Sequence, residues 1–136
     1  MHQLTVRVDR LPLWHRPGLL CISDAAHAMS PAGGVGINLA VQDAVAAANL
    51  LGPVLARGGL PEEADLARVQ ARRERAALVT QAFQLGILRD LYPTELHDDT
   101  TQHVPPIFRA FRALPPLRHL MGRFIGLGAR PEHLAA

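Results

Sequence analysis

Residues 23–38 read SDAAHAMSPAGGVGIN, and they decide how the rest of the chain is read. Immediately before them runs Gly18-Leu19-Leu20-Cys21-Ile22, four apolar residues without polar alternation. Such a run predicts a strand over residues 19–23 that is covered on both faces, as in a parallel sheet. At its carboxyl end stands an acid, Asp24. A short loop follows, then Gly33, Gly34 and Gly36 within four positions, then the alanine-rich residues 37–55, which predict a helix.

In open α/β sheets, ligands lie beyond the carboxyl ends of the strands. Asp24 at that place either accepts hydrogen bonds from the hydroxyls of a sugar or ribityl chain or caps the turn that follows it. The glycines admit close backbone approach and positive φ. They precede a helix whose first N–H groups lack intrahelical acceptors and whose dipole is positive there, so an anion or an electron-rich carbonyl is favoured. A loop separates the glycines from the strand, which distinguishes this arrangement from the dinucleotide fingerprint.

Working outward, residues 4–9 alternate apolar and polar, the period of a half-buried strand. Pro12 and Pro17 mark a connection before Gly18. Residues 62–89 predict a second helix, opened by Pro61-Glu62-Glu63, whose acids complement the helix dipole. Gly52-Pro53 predicts a break or kink near the end of the first helix. Residues 92–106 are polar and turn-rich, and residues 107–123 form a helical tail that Pro115-Pro116 divides into two pieces. Two strands do not make an independently stable sheet, so its edges await another chain or further sequence.

The composition of the 136 residues is that of a globular protein. All 14 basic residues are arginine and the net charge is +2, too small to argue for nucleic acid. Cys21 is the only cysteine and the seven histidines form no zinc-like pair, so neither a disulfide nor a metal site is expected. No secretory leader or membrane span is expected, and the chain is placed in the reducing cytoplasm. The arginines of residues 104–130 either meet an anionic membrane or nucleic acid, or are solvated on a tail packed by its apolar side. The prolines favour packing. Arg68, Arg72, Arg73 and Arg75 are read as a solvated helix surface, Trp14 and Tyr92 as packing residues, and His27 as a packing or loop-bonding histidine.

The order Asp24-Ala25-Ala26-His27, Pro31-Ala32-Gly33-Gly34-Val35-Gly36-Ile37-Asn38 and Gln42-Asp43-Ala44 resembles the second FAD-binding motif of flavin-dependent aromatic hydroxylases. These are NAD(P)H-dependent monooxygenases of the p-hydroxybenzoate hydroxylase type. The likeness reaches upstream through Asp9-Arg10-Leu11 and Trp14-His15-Arg16-Pro17-Gly18, and more loosely to Gln70-Ala71-Arg72-Arg73-Glu74 and Gly128-Ala129-Arg130-Pro131-Glu132-His133. It implies an α/β fold in which residues 1–136 are the C-terminal part of an FAD/NAD(P)-binding Rossmann-like domain, helix-rich, with few strands and an incomplete sheet.

By the same resemblance Asp24 binds the ribityl hydroxyls, Pro31 lies against the flavin ring within the loop 24–36, and the backbone of Gly34, Gly36, Ile37 and Asn38 meets the pyrimidine edge. The implied activity is hydroxylation of a small organic substrate with NAD(P)H and dioxygen. The chain contains no GxGxxG unit and no substrate domain, so activity of the isolated chain is not expected, no catalytic acid or base is nominated, and a complementing chain or oligomer is implied. The alternative is a non-enzymatic remnant, or a partner chain of a flavoprotein. One position departs from the family: Ser23 stands where glycine usually precedes the acid.

Overall fold

The structure, a computed structural model, describes residues 8–31, 34–91 and 114–135. The first element among the described residues is a short antiparallel hairpin, β1 (His15–Arg16) and β2 (Leu19–Leu20), in which His15 pairs with Leu20 and Arg16 with Leu19. Pro17-Gly18 makes the turn, with Gly18 at φ 75°, a value that suits glycine after proline. A single 3-10 turn, Ser23–Ala25, leads toward helix α1 (Val35–Ala56). Helix α2 (Glu63–Leu91) packs along α1, and helix α3 (Pro115–Leu127) lies against α1.

The strand read over residues 19–23 is therefore two residues long among the described residues, and Leu19 is 55% exposed. Burial on both faces needs sheet neighbours, and the one described neighbour is the hairpin partner. Of the strand read over residues 4–9, residues 4–7 lie outside the described residues; Asp9 is irregular, its N–H bonded to the Ala28 carbonyl at 3.2 Å.

The helices are governed by their ends. Helix α1 runs unbroken through Pro53 to Ala56 rather than breaking at Gly52-Pro53. Helix α2 starts with Glu63 and Asp65 in its first turn, and Asp65 reaches back to accept the Glu62 N–H at 3.1 Å, half of a capping box. In the expected helical tail, Pro115-Pro116 begins helix α3, because the first positions of a helix need no donor and want proline's fixed φ. Residues 107–113 of that expectation, and Tyr92, lie outside the described residues. Phe124 of α3 meets Phe83 of α2 edge-on, with ring centroids 4.9 Å apart, while Arg118 and Arg123 are exposed.

A core of Trp14, Ala26, Leu39, Ala76 and Ala77 sits where the irregular segment before α1 meets both long helices. The buried stripe of α2 recurs at helical spacing, Leu66, Val69, Gln70, Arg73, Ala76, Ala77, Thr80, Gln81 and Gln84, and about half of it is polar. The glutamines among them bond the irregular backbone. Gln70 accepts the Trp14 N–H at 2.9 Å and donates to the Pro12 carbonyl at 3.1 Å. Gln81 donates to the carbonyls of Asp9 and Ala28 at 2.9 and 3.2 Å, and Gln84 to that of Ser30 at 2.7 Å. Backbone groups that cannot find a sheet ladder must find other partners, and α2 provides them.

Helix α1 presents Val35, Leu39, Asp43 and Ala46 to the interior. An apolar stripe of the same helix points the other way: Ile37 is 77% and Val41 57% exposed, and Ala44, Ala48 and Leu55 continue the same exposed face. Among the described residues α1 alone has the length and apolarity of a membrane crossing, 22 residues with mean hydropathy 1.5. Its midpoint carries a buried, ion-paired Asp43, which ties it to α2.

Candidate cofactor site

Ser23 is the one non-glycine residue among those described with positive φ, at 56°. Its strained backbone starts the 3-10 turn, which closes when the N–H groups of Ala26 and His27 both donate to the Ser23 carbonyl at 2.8 Å. Turned outward by this geometry, Asp24 is exposed and makes no side-chain hydrogen bond or ion pair among the described residues. An unpartnered carboxylate is available to an incoming ligand. It does not cap the turn.

Opposite stands the start of α1. Gly34 is its N-cap at φ 64°, with no side-chain cap, so the N–H groups of the first turn are left for solvent or ligand. Gly34 must be glycine for its backbone. Gly36 is different: its φ is ordinary, and a Cβ there would meet nothing within 4 Å. Nothing among the described residues demands that glycine, which leaves open space beside the first turn of the helix.

Ser23, Asp24, Met29, Ser30, Pro31, Gly34, Gly36, Ile37 and Ala40 line one cleft of about 430 Å³. Five of the six residues singled out in the sequence therefore line the same cleft. Asn38 does not line it; its side chain turns away to donate to the Ile125 carbonyl of α3 at 2.6 Å. Gly33 lies outside the described residues. On the far side of Asp24 a smaller hollow of about 140 Å³ is bounded by Asp9, Arg10 and Leu11.

Beneath the cleft lies a polar network that sequence reasoning missed. Asp43 is fully buried and accepts hydrogen bonds from His27 Nε2 at 2.6 Å, Arg73 Nε at 2.9 Å and the Ser23 N–H at 3.1 Å. Burial alone would raise its pKa, but the bonds from His27, Arg73 and Ser23 outweigh it and hold the carboxyl below the usual carboxylate range. Arg73 was read as solvated; it is 1% exposed and also donates to the Arg130 carbonyl at 2.9 Å. Arg72, likewise read as solvated, grips the buried Glu132 with two donors, each 2.8 Å from a carboxylate oxygen. Burial would raise Glu132 too, but Arg72, aided by Arg73 and Arg130, lowers it. Gln42 accepts the Glu132 N–H, and Asn49 bonds the His133 carbonyl and the Ala135 N–H at 2.7 and 2.9 Å.

The missed residues did carry a signal. Asp43 falls four residues after Leu39, and Arg73 three or four after Val69 and Gln70, so each charge stands in the core stripe of its helix. His27 is a packing and hydrogen-bonding histidine, 2% exposed, with its ring centroid 5.0 Å from that of Trp14.

A family model described as FAD binding domain matches residues 1–84, more than half of the chain. The chain belongs to that family. FAD is its cofactor, and the chain is similar to FAD-dependent monooxygenases. It is 51% identical over 69 residues to a 6-methylpretetramide 4-monooxygenase of Streptomyces rimosus, an alignment covering 48% of this chain and 16% of the relative. It is 38% identical over 53 residues to the FAD-dependent monooxygenase terM of Tolypocladium album, covering 39% of this chain and 11% of the relative. The aligned stretch is thus less than a fifth of the length of either relative. An α/β, helix-rich portion of an FAD-binding flavoprotein is the architecture the chain displays, and the cleft is built from its family-matched residues.

Proposed function

We propose that this chain is the portion of a flavin-dependent monooxygenase that holds the flavin and ribityl half of FAD in the 430 Å³ cleft. The observation that carries the reading is an unpartnered Asp24 facing an uncapped, glycine-lined helix start across one cavity. Asp24 accepts hydrogen bonds from the ribityl hydroxyls. The first-turn N–H groups of α1 at Gly36 and Ile37 meet the pyrimidine edge, where the positive end of the helix favours negative charge, and Gly34, its own N–H held by the Pro31 carbonyl at 3.2 Å, lets the backbone approach. Asn38 contributes through its backbone while its side chain fastens α3, and Pro31 borders the flavin ring. FAD, once reduced by NAD(P)H, supplies the activation of dioxygen with which a small organic substrate is hydroxylated.

The exposed apolar stripe of α1 is then the face that a Rossmann-like sheet covers, and the short hairpin is a margin of that sheet. On this reading the isolated chain binds cofactor without turning over substrate, and another part of the protein, a second chain or an oligomer completes the enzyme, in an NAD(P)H-supplied cytoplasm.

FAD titration of the purified chain, followed by the absorbance of flavin retained through gel filtration, tests this. Stoichiometric retention is expected, with at least a tenfold loss of affinity in Asp24→Ala, since bonds to a charged acceptor contribute about 1.5–3 kcal/mol. Equal retention by Asp24→Ala would remove the role given to Asp24, and no retention by the natural chain would remove the reading of the cleft.

A further inference from the structure

We propose that Asp43 is the positioning residue of the cofactor cleft: by accepting the Ser23 N–H it fixes the left-handed backbone turn that aims the Asp24 carboxylate at the ligand. The proposal rests on the FAD reading of the cleft and adds to it a residue that never touches the cofactor.

Asp24 sits between two points held by one carboxylate. The Oδ2 atom of Asp43 takes the Ser23 N–H on one side of Asp24 and His27 Nε2 on the other. Its Oδ1 is held by Arg73, so the carboxylate itself cannot rotate. The turn between the two points is short, and its first residue has a φ of 56° that a serine adopts only against a steric penalty. Without an acceptor beneath it, the Ser23 N–H would be free to leave that conformation and carry Asp24 with it.

Packing alone does not ask for an acid here. Val35, Leu39 and Ala46 are the other interior positions of α1, and an aliphatic side chain would fill the same stripe. Buried ion pairs are often replaced by hydrophobic residues without loss of stability when both partners are replaced together, so Asp43 and Arg73 as a pair are not demanded by packing. What an aliphatic group cannot do is hold a backbone N–H twenty residues earlier in the chain.

The test is a double-mutant cycle between residues 43 and 23 in the full chain, read by amide hydrogen exchange and by FAD titration. In Asp43→Asn the Ser23 amide is expected to exchange at least tenfold faster relative to helix amides such as that of Ala46, and the FAD dissociation constant to rise at least tenfold at a temperature where the chain is folded. Adding Ser23→Gly, which adopts positive φ without strain, is expected to recover most of the lost FAD affinity. Glu132→Gln, which loosens the C-terminal segment but leaves Asp43 its partners, should lower the melting temperature without a selective change at Ser23.

Equal effects of Asp43→Asn and Glu132→Gln on Ser23 exchange, or no recovery by Ser23→Gly, would reduce Asp43 to a structural residue and overturn the proposal. If Asp43→Asn does not fold, the natural chain decides: a Ser23 amide exchanging at the unprotected rate overturns it, and a protected one supports it. Should the natural chain fail to retain FAD while Asp43→Asn still loosens Ser23 selectively, the cofactor reading falls and the clamp on the turn stands.

Discussion

Ser23 and Asp24 show how finely the site depends on single residues. Ser23 holds a conformation that favours glycine, so Ser23→Gly is expected to stabilise the chain by about 1 kcal/mol, seen as a rise of about 3–5 °C in the melting temperature. That Asp24 and the glycines before α1 would lie close together was legible because the pattern is local: an acid after an apolar run and glycines before a helix can be read without knowing what lies across the core. Asp43 and Arg73 were not legible in the same way, because each finds its partner on another element, 30 residues away. Removing one member of that pair leaves a buried charge without its counterion. Arg73→Ala is therefore expected to cost about 3–5 kcal/mol in a urea titration, and Arg75→Ala, on the exposed face, about 0.5 kcal/mol or less. Lysine should not restore position 73, because one ammonium does not reproduce the fork that spans Asp43 and the Arg130 carbonyl.

At the scale of elements, the start of α1 separates two uses of glycine. Gly34→Ala puts a Cβ at φ 64° and is expected to destabilise the fold by about 1 kcal/mol. Gly36→Ala meets no chain atom and is expected to leave the melting temperature level or higher, yet to lower FAD retention by narrowing the cleft. Opposite signs in stability with the same sign in binding would distinguish a backbone requirement from a ligand requirement. The two long helices could be read from periodicity and end signals, since 3.6-residue spacing and first-turn acids act within the element. The strand over residues 19–23 could not: four apolar residues specify burial but not its partner, and here the chain pairs two of them in a hairpin. Pro115-Pro116 was ambiguous for a related reason, because proline both ends one helix and begins the next.

Across the described residues, the carboxylates of Asp43 and Glu132 tie the 3-10 turn, α2 and the C-terminal segment into one polar network. Both are held below the usual carboxylate range in the folded chain. The unfolded chain therefore binds more protons as the pH falls through about 4, and stability declines with acidification. Melting temperatures are expected to be level from about pH 8 to 6 and to fall below about pH 5, with a shallower fall in Glu132→Gln. The outward apolar stripe of α1 was legible as a stripe, but which way it faced depended on what α2 offered, a balance among distant residues. That offer has a consequence for how this protein tolerates change. Gln70, Arg73, Gln81 and Gln84 work as a ruler about 21 Å long, laid along one helix and read by backbone far away in the chain. Deleting one residue just before Gln70 would rotate every mark on that ruler by about 100°. Lengths within α2 are accordingly constrained more tightly than most of its individual side chains, and the shape of the loop bordering the cleft is written in part on a helix that is not among the cleft's lining.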